Sequence, residues 1–208
     1  MPCRNETEQL ILDHAIALFG NRGKYAVSIA DIAASAGVNK SLIFYYFGSK
    51  DGLYRAAFLS LVEELAETVE ERVGKLEPGM NMIVQFSREQ IGFLKTHPAL
   101  VRFMVRELLL DEIEGSVLLM EISKKLTPFR DLIRKSFQAA MERGEIRPVD
   151  PAQTMVNILS LNVFFFLGKP IVKLVFDNID FERFERERED HVIDLLLHGL
   201  ERQGGPER

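Results

Sequence analysis

The sequence predicts an all-α protein, and three observations predict it. Apolar residues recur at three- and four-residue spacing in almost every segment, and no segment alternates apolar and polar residues between hairpin turns. Glycine, proline and capping residues also punctuate the chain at helix-length intervals. The expected architecture is an N-terminal three-helix helix-turn-helix head over residues 1–50 and a larger C-terminal helical bundle over 51–208.

The first helix is expected to start at Asn5, an N-cap residue followed three positions later by Glu8. Its apolar stripe is Leu10, Ile11, His14, Ala15, Leu18 and Phe19, and Gly20 and Gly23 are read as its end. Ser28 caps a short second helix that stops at Gly37, where glycine supplies a left-handed turn. A third helix follows Asn39 and reaches Phe47. Ser49 opens a long fourth helix to about residue 75, with Leu53, Ala57, Leu61, Glu64 and Leu65 on one side. After Pro78-Gly79 come a helix over 80–96, a second over 99–110 and an acidic loop over 111–115. The helical pattern of 116–143 is expected to cap or kink at Thr127-Pro128. Asp150-Pro151 starts an apolar helix to about Leu167, which Gly168 and Pro170 break or bend. The last helix covers 181–202, and 204–206 read as a frayed tail.

Composition narrows the function classes. The most apolar stretch, 158–167, is interrupted by Ser160 and Asn162 and falls short of the ~18–20 residues a bilayer requires, so no membrane span is expected. The N-terminus has no apolar leader, and the single Cys3 excludes an internal disulfide and a cysteine-based zinc cluster. The expected location is the cytoplasm. The net charge of -5 gives no sign of a nucleic-acid partner, but residues 1–55 hold six Lys/Arg against five Asp/Glu. The acidity belongs to the body, and a near-neutral head can bind phosphate through a few well-placed cations.

Residues 28–47 carry the functional reading. A short helix, a turn at Gly37 and a second short helix form the geometry in which the last helix enters a DNA major groove. Ala33, Ala34 and Ala36 are small, as close packing of the two helices requires. The run ILDHAIALFGNRGKYAVSIADIAASAGVNKSLIFYYFGSKDGLYRAAF, about residues 9–58, resembles the TetR family of transcriptional repressors. The resemblance covers roughly a quarter of the chain, with some fifteen positions in register; the remainder agrees only in length and helical character.

The resemblance implies a role for each matching position. Ser28 stands where the family caps its second helix and touches a phosphate, and Asn39 where the recognition helix is capped. Lys40, Ser41 and Leu42 occupy positions that face base edges; Tyr45 and Tyr46 fall where the family contacts the backbone and thymine methyls; Lys50 matches a phosphate-binding lysine. The chemistry is consistent with this. A lysine donates to guanine acceptors, a leucine packs on a thymine methyl and a tyrosine hydroxyl bonds a phosphate. Leu42 replaces a commonly polar residue and Tyr46 a frequent histidine, so the base sequence read by relatives does not transfer. Ile43, Phe44 and Phe47 lie at core spacing and are not taken as contacts.

A head of this kind reads few base pairs, so a homodimer on a palindromic double-stranded DNA operator is expected. The helices beginning at Pro151 and ending near Leu200 are the candidates for its interface, through an apolar excess on 151–167 and a stripe of Val192, Leu195, Leu196, Gly199 and Leu200. Intrachain core is the alternative for the same residues. A small-molecule effector pocket is expected among Phe86, Phe93, Phe103, Met104, Met120, Phe137, Met155 and Phe164, with Phe165 a further aromatic, because methionine and aromatic side chains shape apolar cavities. Arg102, Arg106, Glu107, Asn157 and Asn162 are available to orient a polar group, with solvated faces as the alternative.

No metal or cofactor is expected. His191 and His198 share a helix face but stand about 10 Å apart at 1.5 Å per residue, and His97 before Pro98 reads as a boundary residue. No enzyme motif is present: the chain has no G-x-S-x-G, P-loop or H-E-x-x-H, and Glu112 and Glu114 lack a Glu-x-x-His partner. A helical adaptor that uses the head for protein binding is the remaining alternative.

Overall fold

The computed structural model describes residues 5–110, 115–176 and 178–201. Cys3, the acidic stretch 111–114 with Glu112 and Glu114, the tail at 204–206 and the side chain of Glu107 lie outside that description. The described residues form nine helices and no strand: α1 Glu6–Arg22, α2 Ile29–Ala36, α3 Lys40–Phe47, α4 Lys50–Val73, α5 Met80–Thr96, α6 Pro98–Leu110, α7 Gly115–Glu142, α8 Pro151–Val175 and α9 Phe181–Leu200. They make two compact units, one from Met1–Glu64 with His97–Ser123, the other from Leu65–Thr96 with Lys124–Arg208.

In the first unit α1 packs on α2, α3 and α6. Ile11, Leu12, Ala15 and Phe19 of α1 are buried with Ile32, Ile43 and Leu53. Phe19, Tyr54, Phe103 and Phe58 form a chain of rings with centroids 5.2, 5.0 and 5.4 Å apart, the spacing at which edge and offset contacts are favourable. Two expectations for α1 change. Leu10 is exposed and Leu12 takes its place inside. Gly20 does not end the helix: it lies within α1, where a Cβ would come 2.9 Å from that of Ala99 on α6, so its missing side chain serves a helix crossing. The stop is Gly23, at φ 84°.

The carbonyls at that end have long-range partners, in addition to the Gly23 N–H that Phe19 O already accepts (2.8 Å). Arg106 donates to Phe19 O (2.6 Å), and Arg102 donates to Gly20 O (2.6 Å) and Asn21 Oδ1 (3.0 Å). Cations at a helix C-terminus satisfy orphan acceptors and complement the macrodipole. The two arginines are therefore engaged inside the unit and are not solvated faces.

In the second unit α5 packs on α8 and α9. Val69, Val73, Met82, Ile83, Phe86, Phe137, Ile158 and Leu196 belong to one buried cluster. Two prolines that should interrupt helices do not end them. α7 continues through Pro128, and α8 continues through Gly168 and Pro170 to Val175. A proline removes one donor and crowds the carbonyl four residues back, a cost that tertiary packing on a long helix can offset.

The continuation lengthens the apolar helix, and one helix of this length and composition does not by itself make a membrane span. By length and composition α8 is apolar enough to cross a bilayer, and only 17% of its most apolar window is buried.

Candidate nucleic-acid interface

The head is held by short-range devices. Ser28 and Asp31 form a complete capping box: Ser28 Oγ accepts from Asp31 N (3.1 Å) and donates to Asp31 Oδ2 (2.8 Å), which also accepts from Ser28 N (2.8 Å). These bonds hold the half-buried Asp31 carboxylate below its ordinary value, with a further contribution from the fields of Arg22 and Lys50. α2 ends in the left-handed Gly37 (φ 67°, ψ 28°), whose N–H turns back to the Ala33 and Ala34 carbonyls. His14 Nδ1 meets Ser35 Oγ at 2.7 Å, tying α1 to α2.

α3 then presents its faces by helical periodicity. Ile43 is completely buried and anchors the helix. Lys40, Ser41, Phe44 and Tyr45 are exposed on one arc, with Tyr45 79% exposed. Leu42 and Tyr46 share a half-buried flank, and Lys50 is half-buried at the start of α4. Lys40 and Lys50 form no ion pair among the described residues, although Lys50 stands near enough to Asp31 for its field to act on that carboxylate. The Tyr45 and Tyr46 rings meet edge to face at 5.1 Å.

Three details differ from the sequence expectation. Asn39 occupies the N-cap position of α3, but its side chain makes no capping bond; its carbonyl accepts from Leu42 N instead (3.0 Å). The Ser28 hydroxyl proton is committed to Asp31, leaving no donor for a phosphate oxygen. Phe44, placed at core spacing by the sequence, is 49% exposed beside Lys40 and Tyr45. Its place four residues after exposed Lys40 and three after Ser41 was the available signal.

The residues expected to line an effector pocket divide between the units. Phe103 is fully buried in the first, with Met104 half-buried and Met120 57% exposed. In the second, Phe86, Phe93 and Phe137 are buried, Met155 is half-buried and Phe164 is 69% exposed. Met120 and Phe164 are therefore surface residues of this chain. The second unit adds a polar cluster: Ser87 Oγ donates to Asn162 Oδ1 (3.1 Å), and Asn162 Nδ2 donates to Gln90 Oε1 (2.7 Å), all three residues buried. Asn162 is thus placed as a polar group among apolar neighbours, whereas Asn157 is exposed.

Val156, Phe164, Ile171 and Leu174 leave an exposed apolar face on α8, and Leu195 and Leu197 are exposed on α9. Gln153, Asn157 and Ser160 are also exposed on α8. Of the predicted α9 stripe, Val192, Leu196 and Leu200 point into the core, and Leu195 and Gly199 do not. Among the described residues no group of three or more His, Cys, Asp and Glu side chains could hold a metal ion.

Comparison with known proteins places this geometry. Residues 11–57 match the sequence profile of bacterial regulatory proteins of the tetR family. A probable HTH-type transcriptional regulator of Bacillus subtilis, YttP, is 29% identical over 67% of this chain and 65% of its own length. The HTH-type regulator BetI of Brucella anthropi is 36% identical over 39% of this chain and 45% of its own. The matches thus span less than two thirds of these curated relatives. Among solved structures, the transcriptional regulator FadR of Bacillus subtilis in complex with stearoyl-CoA superposes with a TM-score of 0.70 at 18% identity. That likeness covers 92% of this chain and 98% of FadR, and it establishes a common fold alone.

Proposed function

We propose that this chain, whose residues 11–57 match the tetR family of bacterial regulatory proteins, is a ligand-responsive repressor of that family that binds a palindromic operator as a homodimer and is released by a small molecule. The exposed arc of α3 carries this reading: two lysines outside any ion pair among the described residues flank a helix that shows Ser41, Phe44 and Tyr45 to solvent and is anchored by buried Ile43. Lys40 reads guanine acceptors, Leu42 and Phe44 pack on thymine methyls, and Tyr45, Tyr46 and Lys50 hold phosphates. Ser28 and Asn39 act through the helix starts they define, where free backbone N–H groups favour an anion.

The apolar face shared by α8 and α9 is assigned to a second copy. Exposed Gln153, Asn157 and Ser160 interrupt the band a lipid-facing helix would need, and α9 beside it is densely charged. A small molecule bound in the body acts by preferring the dimer whose heads are spaced wrongly for consecutive grooves; a ligand with equal affinity for both states would shift nothing. Phe86, Phe93, Phe137 and Met155, beside the Ser87, Gln90 and Asn162 cluster, offer apolar lining with a few polar groups. FadR binds stearoyl-CoA, which makes acyl-CoA thioesters the first class to screen.

The test is selection of bound duplexes from a random pool, followed by titration of the enriched duplex with acyl-CoA thioesters. An enriched two-fold site supports the reading, and loss of binding on adding a thioester identifies the effector class. A folded dimer that enriches no duplex would refute it and favour a protein-binding head.

A further inference from the structure

We propose that Asn5 is a positioning residue for DNA binding: its side-chain amide fixes the Tyr46 hydroxyl as an acceptor toward α1, so that the hydroxyl proton is left to donate outward to a phosphate. The inference rests on α3 being the DNA-contacting helix. Asn5 is the N-cap of α1, and its Oδ1 accepts from Thr7 N (2.7 Å) and Glu8 N (3.4 Å). Backbone N–H groups only donate, so the amide oxygen must face α1 and the NH2 must face away. The orientation of this asparagine is therefore set by chemistry. The NH2 group meets Tyr46 Oη at 2.6 Å, across 41 residues of sequence.

That bond fixes the direction of a proton. An amide NH2 has no lone pair to offer, so Tyr46 Oη can only accept from Asn5, and its own proton must go elsewhere. No other hydrogen bond engages Tyr46 among the described residues. Phosphate oxygens are acceptors and need such a donor. The half-buried Tyr46 ring is held edge-on to Tyr45 at 5.1 Å and tilted against Phe47 at 6.3 Å, which restricts it to this orientation. Ser28 on the same head shows the opposite arrangement, with its proton already spent on Asp31. Of these two hydroxyls only Tyr46 retains a donor.

A structural tie between α1 and α3 would use the same bond, and substitutions at Asn5 separate the two roles. Asn5→Ser keeps a cap acceptor but is too short to reach Tyr46. Asn5→Asp keeps the cap and reverses the bond, drawing the tyrosine proton inward. Affinity for the duplex selected by the wild-type chain is measured at fixed salt for the full-length protein, each Asn5 variant, Tyr46→Phe and the double variants. Thermal unfolding checks that the cap persists.

We expect Tyr46→Phe to weaken binding about 5- to 10-fold, as loss of a charge-assisted bond does. Asn5→Asp should weaken it about 10-fold or more in the parent and at least about 5-fold less than that in the Tyr46→Phe background, the difference being the coupling between the two groups. Asn5→Ser should cost about 2- to 3-fold, again only while the hydroxyl is present. Equal losses in both backgrounds, or full affinity in Tyr46→Phe, would overturn the proposal and leave Asn5 a helix cap. A wild-type chain that selects no duplex would instead remove the DNA-binding reading on which it rests.

Discussion

In the first unit the buried side chains are hydrocarbon and rings, centred on Phe19, Tyr54, Phe103 and Phe58; in the second, Ser87, Gln90, Ser136 and Asn162 are buried among Met82, Ile83, Phe86 and Phe137. The four are the buried polar residues among those described, and none belongs to the first unit. An apolar, interlocked interior favours one packing and suits a head that must present a fixed surface. A buried polar cluster costs desolvation and is sustained only while its bonds are made. It also supplies amide and hydroxyl groups for a ligand, where the first unit's buried side chains offer the Tyr54 hydroxyl. The ring chain and the polar cluster therefore mark different tasks, and substitutions can test whether the distinction holds.

The largest expected effect is in the ring chain. Phe103→Ala should cost about 3–5 kcal/mol in urea unfolding, because the site is fully enclosed and its neighbours are too large to collapse into the space. A loss under about 1 kcal/mol would mean that the first unit is loosely packed. Next is the polar cluster. Asn162→Leu should cost about 2–3 kcal/mol by leaving Ser87 and Gln90 buried without their partner. Replacing all three by apolar residues of similar size should recover most of that loss, as removal of both partners of a buried bond often does. If the triple variant regains stability yet no longer answers an effector that releases the parent, the cluster serves recognition. If it regains both, the two interiors differ in composition but not in task.

Arg106→Met should cost about 1 kcal/mol by removing the charge-assisted second bond to the Phe19 carbonyl, which still accepts from Gly23 N, seen as a lower unfolding midpoint of the full chain. The smallest effect concerns the capping box. The Asp31 carboxylate is held below its ordinary value of 3.8, so its contribution to folding is fully present above that pH and is lost as pH falls through its folded value. Between about pH 5 and pH 2 the unfolding midpoint should drop further in the parent than in Asp31→Asn. Parallel pH curves would show that the box does not help hold the head.

Much of the head was legible in the sequence because its determinants are local. Ser28 at the start of α2, Gly37 after it and Ile43 within α3 each act within a few residues, and local chemistry is what a sequence displays. What sequence did not reveal depends on distant segments. Gly20 reads as a helix stop until α6 lies against it, and Arg102 and Arg106 bond carbonyls 82 and 87 residues away. Asn162 finds its partners 75 and 72 residues back. Pro128 and Pro170 carry a local rule against helix interiors that packing overrides. At the candidate site, Phe44 was misjudged because an aromatic at core spacing is ordinarily buried, and here α3 turns it outward.

The central claim is that the exposed arc of α3 contacts DNA. Its most direct test is the salt dependence of affinity for the selected duplex, measured for the parent and for Lys40→Ala and Tyr45→Ala. Each phosphate contact a cation makes adds about 0.9 to the logarithmic slope, whereas a base contact changes affinity for one sequence more than for others. The account predicts that both variants bind the selected duplex at least about tenfold more weakly, and that Lys40→Ala also loses discrimination at one position of each half-site. Parent-like affinity, slope and sequence preference in both variants would contradict it.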